Sequence, residues 1–439
     1  MLLIYLPTVT SRSQYVFEFI FKNEFGIRYN ITNDLAAFEK HQEEKINYSG
    51  QRFHNEFFIK AVGLLEDDGL KKIDIPVSEK HQTKVLFPNE ECDVGFDIFS
   101  AIFYMVSRYE EYLPFNPDEY GRFKATESLA YQNNFLQIPI VDIWVFYFKK
   151  ILLQKFPSLK IKTSGLNAIP TYDIDVAYKF KGRSFLRNAG SVLKDLSKFD
   201  FKNILERFQT FLNIKKDPWD VYDYLSAAIE KRKLKSVFFF LLGDKSRYDR
   251  NLNYKNPEMK EVIKKIKSFS ETGIHPSFVS NSFPKKLLIE KQRLENISQK
   301  KITKSRQHFL KFKLPDTYLN LISAGITEDY SMGLPEMPGF RAGTCKPFYF
   351  YDLKNEQSTN LKLFPVTCME VTFMDYLQMS PEEALQNIYK LMQEVKKVDG
   401  TFISIWHNNT IIETASAKNW HWAHDQMLNE LEQLIETTN

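Results

Sequence analysis

From residue 165 onward the chain alternates short apolar runs with helical segments, and this alternation limits the possible folds more than any other feature. The apolar runs fall at 168–173, 236–243, 273–278, 302–309, 325–330, 362–372 and 401–407. Between them, 258–270, 284–299, 315–323 and 381–398 carry apolar residues at helical intervals, several with proline near the first turn, where its missing N–H is no loss. Strands that each lead into a helix call for a parallel sheet, because a crossover helix returns the chain to the end from which the next strand starts. The expected class is α/β: an irregular (β/α)7-type barrel, closed or nearly closed, over 161–439, preceded by a smaller mixed α+β domain over 1–160. Residues 179–235, rich in Phe, Leu and Lys, interrupt the alternation and predict extra helices packed on the outside.

A barrel of this kind places its chemistry where strands end. The first strand ends in Thr171-Tyr172-Asp173-Ile174-Asp175, and side chains two apart in an extended chain share a face. Alone, such a pair of acids also suits a helix or turn cap. The third strand carries His275, the fourth ends in Ser305-Arg306-Gln307-His308, and the fifth in Glu328-Asp329-Tyr330. Gly339-Phe340-Arg341 follows, and the last strand delivers Trp406 and His407. A carboxylate with two neutral imidazoles is a common hydrolytic site for a divalent metal, with one position left open for water.

Composition narrows the class. A net charge of +4 from 59 basic and 55 acidic residues leaves no basic stripe, so nucleic acid is not an expected partner. Cys92, Cys345 and Cys368 are too widely spaced for a zinc ribbon or a disulfide framework. No run of about 18 apolar residues occurs, so no transmembrane segment is expected. The opening Met1-Leu2-Leu3-Ile4-Tyr5 reads as a first strand and not as a signal peptide, and cytoplasmic residence is the expectation. In the first region, 96–113 predicts a buried helix and 141–156 a second one. Arg108, Glu110, Glu111, Asp118 and Glu119 form a charge cluster that reads as solvated surface, with contact to a partner domain as the alternative.

The site residues together resemble the polysaccharide deacetylase superfamily (NodB homology, carbohydrate esterase family four), in a divergent bacterial form with an uncharacterised N-terminal domain. The first motif of that family, Thr-Phe-Asp-Asp, is similar to residues 171–175 with one residue inserted between the acids. The resemblance implies Asp173 as base and Asp175 as metal ligand. It also implies Arg341, with Pro347 beyond it, as the arginine that orients the base. Ile405-Trp406-His407 is similar to the last motif and implies His407 as general acid.

The second motif departs from the family pattern. Two histidines four apart are expected on one strand, but His275-Pro276-Ser277-Phe278-Val279 has one. His308 is the proposed replacement, since adjacent strand ends lie about 5 Å apart and Arg306 and His308 share a face. The alternative is that His308 only hydrogen-bonds in the barrel mouth. Asp329 reads as a partner that fixes a histidine tautomer, as a substrate contact, or as a helix cap. Arg306 and Trp406 complete the set of substrate or supporting contacts, with Trp406 as stacking platform or core.

The implied activity is that of a hydrolase acting on C–N bonds other than peptide bonds. It would remove N-acetyl or O-acetyl groups from a carbohydrate, with one divalent metal, zinc by expectation, in cell-envelope polysaccharide metabolism. A carbohydrate-binding barrel without catalysis, or another metal-dependent barrel hydrolase, are the alternatives.

Overall fold

The strands that read as unbroken apolar runs are those covered on both faces. Val237–Leu241 (VFFFL) is buried at every residue and sits well inside a parallel sheet. The structure is a computed structural model that describes residues 1–183, 185–412 and 418–437.

Among these residues four strands, β1 (Leu2–Tyr5), β2 (Tyr29–Thr32), β3 (Lys45–Ser49) and β4 (Phe57–Lys60), form a sheet in the order β2-β1-β3-β4. All its pairings are parallel, so this region is layered α/β where mixed α+β was expected. The helix Ser11–Phe17 and its continuation Glu18–Glu24 make the crossover between β1 and β2, which is what parallel neighbours require. β5 (Val77–Lys80) and β6 (Thr83–Leu86) form a separate antiparallel hairpin. The expected helix at 96–113 runs only over Ile98–Val106, capped by Asp97 and buried throughout. It stops because Arg108 turns left-handed, with φ 55°.

The second sheet has nine strands: β7 (Asn167–Ile174), β8 (Val237–Leu241), β9 (Glu271–His275), β10 (Lys304–Ser305), β11 (Glu328–Asp329), β12 (Phe348–Asp352), β13 (Gln357–Leu363), β14 (Cys368–Met369) and β15 (Thr401–His407). Their order is β12-β13-β11-β10-β9-β8-β7-β15-β14, with only β12 antiparallel. The seven-stranded barrel expected from the sequence is thus observed as a nine-stranded sheet whose ladder is open between β13 and β14. The run 362–372 changes partners midway: its first part pairs with β11, then Val366 donates to Met332 and Thr367 to Ile403, and β14 joins β15.

Parity along these strands places the chemistry. Ile169, Val237, Phe239, Ile403 and Ile405 share one face and build a small apolar cluster with Leu310, Tyr330 and Val366. Asp173 and His407 continue that parity at the C-terminal end, and the register pairs them directly. The opposite face belongs to a much larger core that runs without interruption from Leu2 to Leu434, through both halves of the chain.

Tyr172 and Trp406 point to that opposite face, toward the helix Trp420–Glu436. There the fully buried His424 lies with Nε2 3.0 Å from the Tyr172 hydroxyl and Nδ1 2.9 Å from the Tyr224 hydroxyl. Burial, reinforced by His421 and Arg232, pushes its pKa down to about 3. The folded form therefore binds fewer protons than the unfolded chain between about pH 3 and 6.5. Stability from this neutral imidazole is complete above that window and is lost as pH falls through it, at about 1.4 kcal/mol per pH unit. Urea midpoints measured from pH 7 to pH 4 should fall less steeply in His424→Phe than in the parent; equal slopes would exclude His424 as a source of acid sensitivity.

Candidate metal centre

Three imidazoles converge on one carboxylate because each has its other nitrogen tied down. His275, the last residue of β9, hydrogen-bonds through Nδ1 to the Arg306 carbonyl at 2.6 Å. A carbonyl can only accept, so Nδ1 carries a proton, and in the neutral ring that a metal ligand requires, the lone pair is on Nε2. That Nε2 lies 3.2 Å from Asp175 Oδ1 and 3.7 Å from Asp173 Oδ2. His308 donates through Nδ1 to Asp249 at 3.0 Å and turns Nε2 toward Asp175 Oδ2 at 3.5 Å. His407 donates through Nδ1 to Glu370 at 2.8 Å, with Nε2 3.8 Å from Asp175 Oδ2. Acceptors behind the ring are what fix an imidazole for metal or proton chemistry.

Asp175, His275 and His308 offer ligand atoms that all lie within 4.8 Å of one another, so these residues can hold a metal ion. Asp175 Oδ1 fits that role: it is buried and has no hydrogen-bond partner, and His275 Nε2 lies 3.2 Å away. A buried carboxylate oxygen without a donor is costly unless a cation completes it. Burial alone would raise the Asp175 carboxyl; His308 and His275 outweigh it and hold the group well below the ordinary carboxylate range. Burial likewise opposes the charge on His308, while Asp175 and Asp249 raise its pKa to about 9.

The local chain explains how His308 reaches the place of a second histidine on β9. The fourth strand, expected over 302–309, stops at Ser305. The next residues form a tight turn in which Phe309 and Leu310 adopt φ 63° and 49°, a conformation uncommon for side chains of this size. That turn swings His308 over His275, with ring centroids 5.0 Å apart.

Asp173 is buried beside these ligands and accepts from Arg306 Nη1 at 3.0 Å. Arg306, itself fully buried, is pinned by a second bond from Nε to the Tyr330 carbonyl and stacks 4.6 Å over Phe239. It occupies the position expected for Arg341. Arg341 does not approach Asp173: its Nε and Nη2 donate to both oxygens of Glu111, at 2.8 and 2.6 Å, and Nη1 to the Gly333 carbonyl. The first-region charge cluster therefore includes buried groups, and Glu111 in particular is not solvated. Trp406 is also placed away from the site, since the residue before His407 must face the other side of the sheet; its indole N–H lies 3.3 Å from Met427 Sδ. Asp329 contacts no histidine. It accepts from Ser305 and Ser331, and burial raises its pKa to about 6.

Two supporting carboxylates, Asp249 and Glu370, stand outside the site residues expected from the sequence. Asp249 follows β8, the one early strand to which no chemistry had been assigned, and that gap was the available signal. It is held by Ser246 Oγ at 2.7 Å and the Phe278 N–H at 2.8 Å. Glu370, directly after β14, also accepts from the His407 N–H and Thr410.

A cleft of about 670 Å³ opens over these groups. One wall is aromatic: Tyr120, Tyr248 and Phe309 line it and Phe278 packs against them, with centroids 4.2 to 6.3 Å apart. Tyr120 comes from the first region, which Arg122 ties to the rim through the Phe309 carbonyl and the Tyr376 hydroxyl.

Comparison with known proteins gives the following. A family of unknown function, DUF7033, matches residues 2–157. No curated protein matches the sequence. Among solved structures, a Mycobacterium smegmatis protein assigned as a polysaccharide deacetylase is similar at 12% identity and a TM-score of 0.41, over 63% of this chain and 91% of that one. A Bacillus cereus polysaccharide deacetylase is similar at 11% identity and 0.31, over 61% and 88%. A Bacillus anthracis pseudoenzyme of the CE4 family is similar at 11% identity and 0.31, over 62% of each chain. Identities and scores this low carry no functional information. Among the described residues no helix is long and apolar enough to cross a membrane.

Proposed function

We propose that the chain is a metal-dependent hydrolase that removes N-acetyl or O-acetyl groups from a carbohydrate, with zinc as the ion and cell-envelope polysaccharide metabolism as its setting. The reading takes 161–439 as the catalytic barrel-like domain, and 1–160 as a second domain that completes the cleft. The observation that carries it is the arrangement around Asp175. Two imidazoles join it as ligands, an arginine-held carboxylate stands on one side, and a carboxylate-held imidazole on another.

A divalent ion on Asp175, His275 and His308 would supply the Lewis acidity that polarises an acyl carbonyl and acidifies water. The protein's own groups do the rest. Arg306 fixes Asp173 Oδ1, leaving Oδ2 facing the ligands, placed to take a proton from water. Glu370 orients His407 so that Nε2 faces the same space. Burial would lower the His407 pKa, yet Glu370, then Asp175 and Asp173, raise it to about 10, so it enters as a proton donor for the departing amine or alcohol. With a cation held by Asp175, that residue's share of the effect would be lost and Glu370 would be the main support. The aromatic wall suits the apolar face of a pyranose ring.

Acetate release from N-acetylated chito-oligosaccharides tests the reading, with zinc removed by chelation and restored. The expected result is metal-dependent release that falls about 10²- to 10⁴-fold in Asp173→Asn and in His407→Ala. A zinc-bound protein that binds acetylated oligosaccharides and releases no acetate from N- or O-acetyl groups would replace this reading with that of a binding protein.

A further inference from the structure

The insertion after β7 does not pack as its sequence suggested. Helices Phe185–Ser197 and Phe201–Phe211 leave large apolar side chains in solvent. Of 21 exposed large hydrophobic residues among those described, nine lie between 193 and 214, so the exposure is concentrated and not scattered. Phe199 is 79% exposed, Leu193 and Leu212 68%, Phe201 62%, Leu205 58% and Phe208 54%.

Charge is concentrated in the same place. Residues 179–217 hold ten Lys and Arg and four Asp and Glu, a net of +6, whereas the whole chain carries +4. The remainder of the protein is therefore slightly acidic. The four acids are engaged within the insertion: Asp195 with Arg207, Glu206 with Lys179, Asp200 capping its helix, and Asp217 accepting from the backbone of 179–181. Lys194, Lys198, Lys202 and Lys215 are exposed.

We infer that this helical hairpin is a docking surface for an anionic lipid bilayer, lying in the interface without crossing it. Amphipathic helices with exposed Phe and Leu beside Lys bind such surfaces by burying the apolar face and attracting anionic headgroups. A second copy of the chain is a poorer occupant, because two surfaces of net +6 would meet. Asp217 pins both ends of the insertion together, which makes the hairpin a unit on a neck. The hairpin leaves the sheet from the end of β7 that bears Asp173 and Asp175, so docking brings the cleft to the membrane surface.

Co-sedimentation of the full chain with phosphatidylcholine vesicles containing about 30 mol% phosphatidylglycerol tests this. The protein should pellet with these vesicles, at least about tenfold less with pure phosphatidylcholine, and be released by about 0.5 M salt. Phe199→Ser with Phe208→Ser should lower binding about tenfold, and Lys194→Glu with Lys198→Glu and Lys202→Glu should do the same, both with unchanged thermal unfolding. Protein that stays in the supernatant with anionic vesicles overturns the inference. So does a concentration-dependent dimer that dissociates in the Phe199→Ser, Phe208→Ser protein and pellets with neither vesicle.

Discussion

His308→Ala protein, loaded with zinc and then desalted, should retain no stoichiometric metal, while the parent keeps about one ion per chain, measured by atomic emission. Without the imidazole only Asp175 and His275 remain, one short of the three protein ligands usual for an open catalytic site. The carboxylate behind His308 grades the effect. Asp249→Asn keeps the ring but replaces the charged acceptor at 3.0 Å, and affinity should fall about 10- to 100-fold without being abolished. The order of affinity is therefore parent, then Asp249→Asn, then His308→Ala, and acetate release at limiting zinc should follow it. If His308→Ala holds zinc as tightly as the parent, the ligand set is wrong whatever the activity. Unchanged affinity in Asp249→Asn would remove only the supporting role assigned to that carboxylate.

What could be read in the chain, and what could not, divides along physical lines. Strand ends were legible because burial on both faces writes itself as continuous apolar runs, and period-two parity then places Asp173, His275 and His407 on one rim. The same parity excludes Trp406 from that rim, a consequence of the strand alternation alone. β10 shrinks to two residues, since the turn after Ser305 depends on left-handed Phe309 and Leu310, which no local preference announces. β12 lies outside the expected strands although Phe348-Tyr349-Phe350-Tyr351 has the aromatic composition of a strand, because an antiparallel neighbour needs no crossover helix to mark it. Arg341 and Arg306 exchanged places for a different reason. Which arginine meets Asp173 depends on the partner that captures the other, and Glu111 lies 230 residues from Arg341.

That capture has a measurable consequence. Glu111→Ala should destabilise the protein by about 3–5 kcal/mol, more than Arg341→Met, in chemical unfolding at neutral pH. Glu111 is buried between two guanidinium groups, accepting from Arg341 through both oxygens and from Arg108 Nε at 2.7 Å. Burial alone would raise its pKa, but Arg341 and Arg108 outweigh it and hold the carboxyl below its usual value. Its contribution is thus present above the unfolded carboxylate pKa and is lost only as pH falls through the lower folded one. Removing Glu111 leaves Arg341 with the Gly333 carbonyl alone and Arg108 with Glu110, so positive charge stays buried with too few acceptors. Removing Arg341 instead leaves Glu111 still paired with Arg108, a smaller loss. Activity separates this from the role the sequence suggested. At equal folded fraction Arg341→Met should keep the parent's kcat, because Arg341 joins the first region to the sheet and does not touch Asp173, whereas Arg306→Met should lose about 10²-fold or more through the base it orients. A kcat loss in folded Arg341→Met as large as that in Arg306→Met would return Arg341 to the base and sink this assignment.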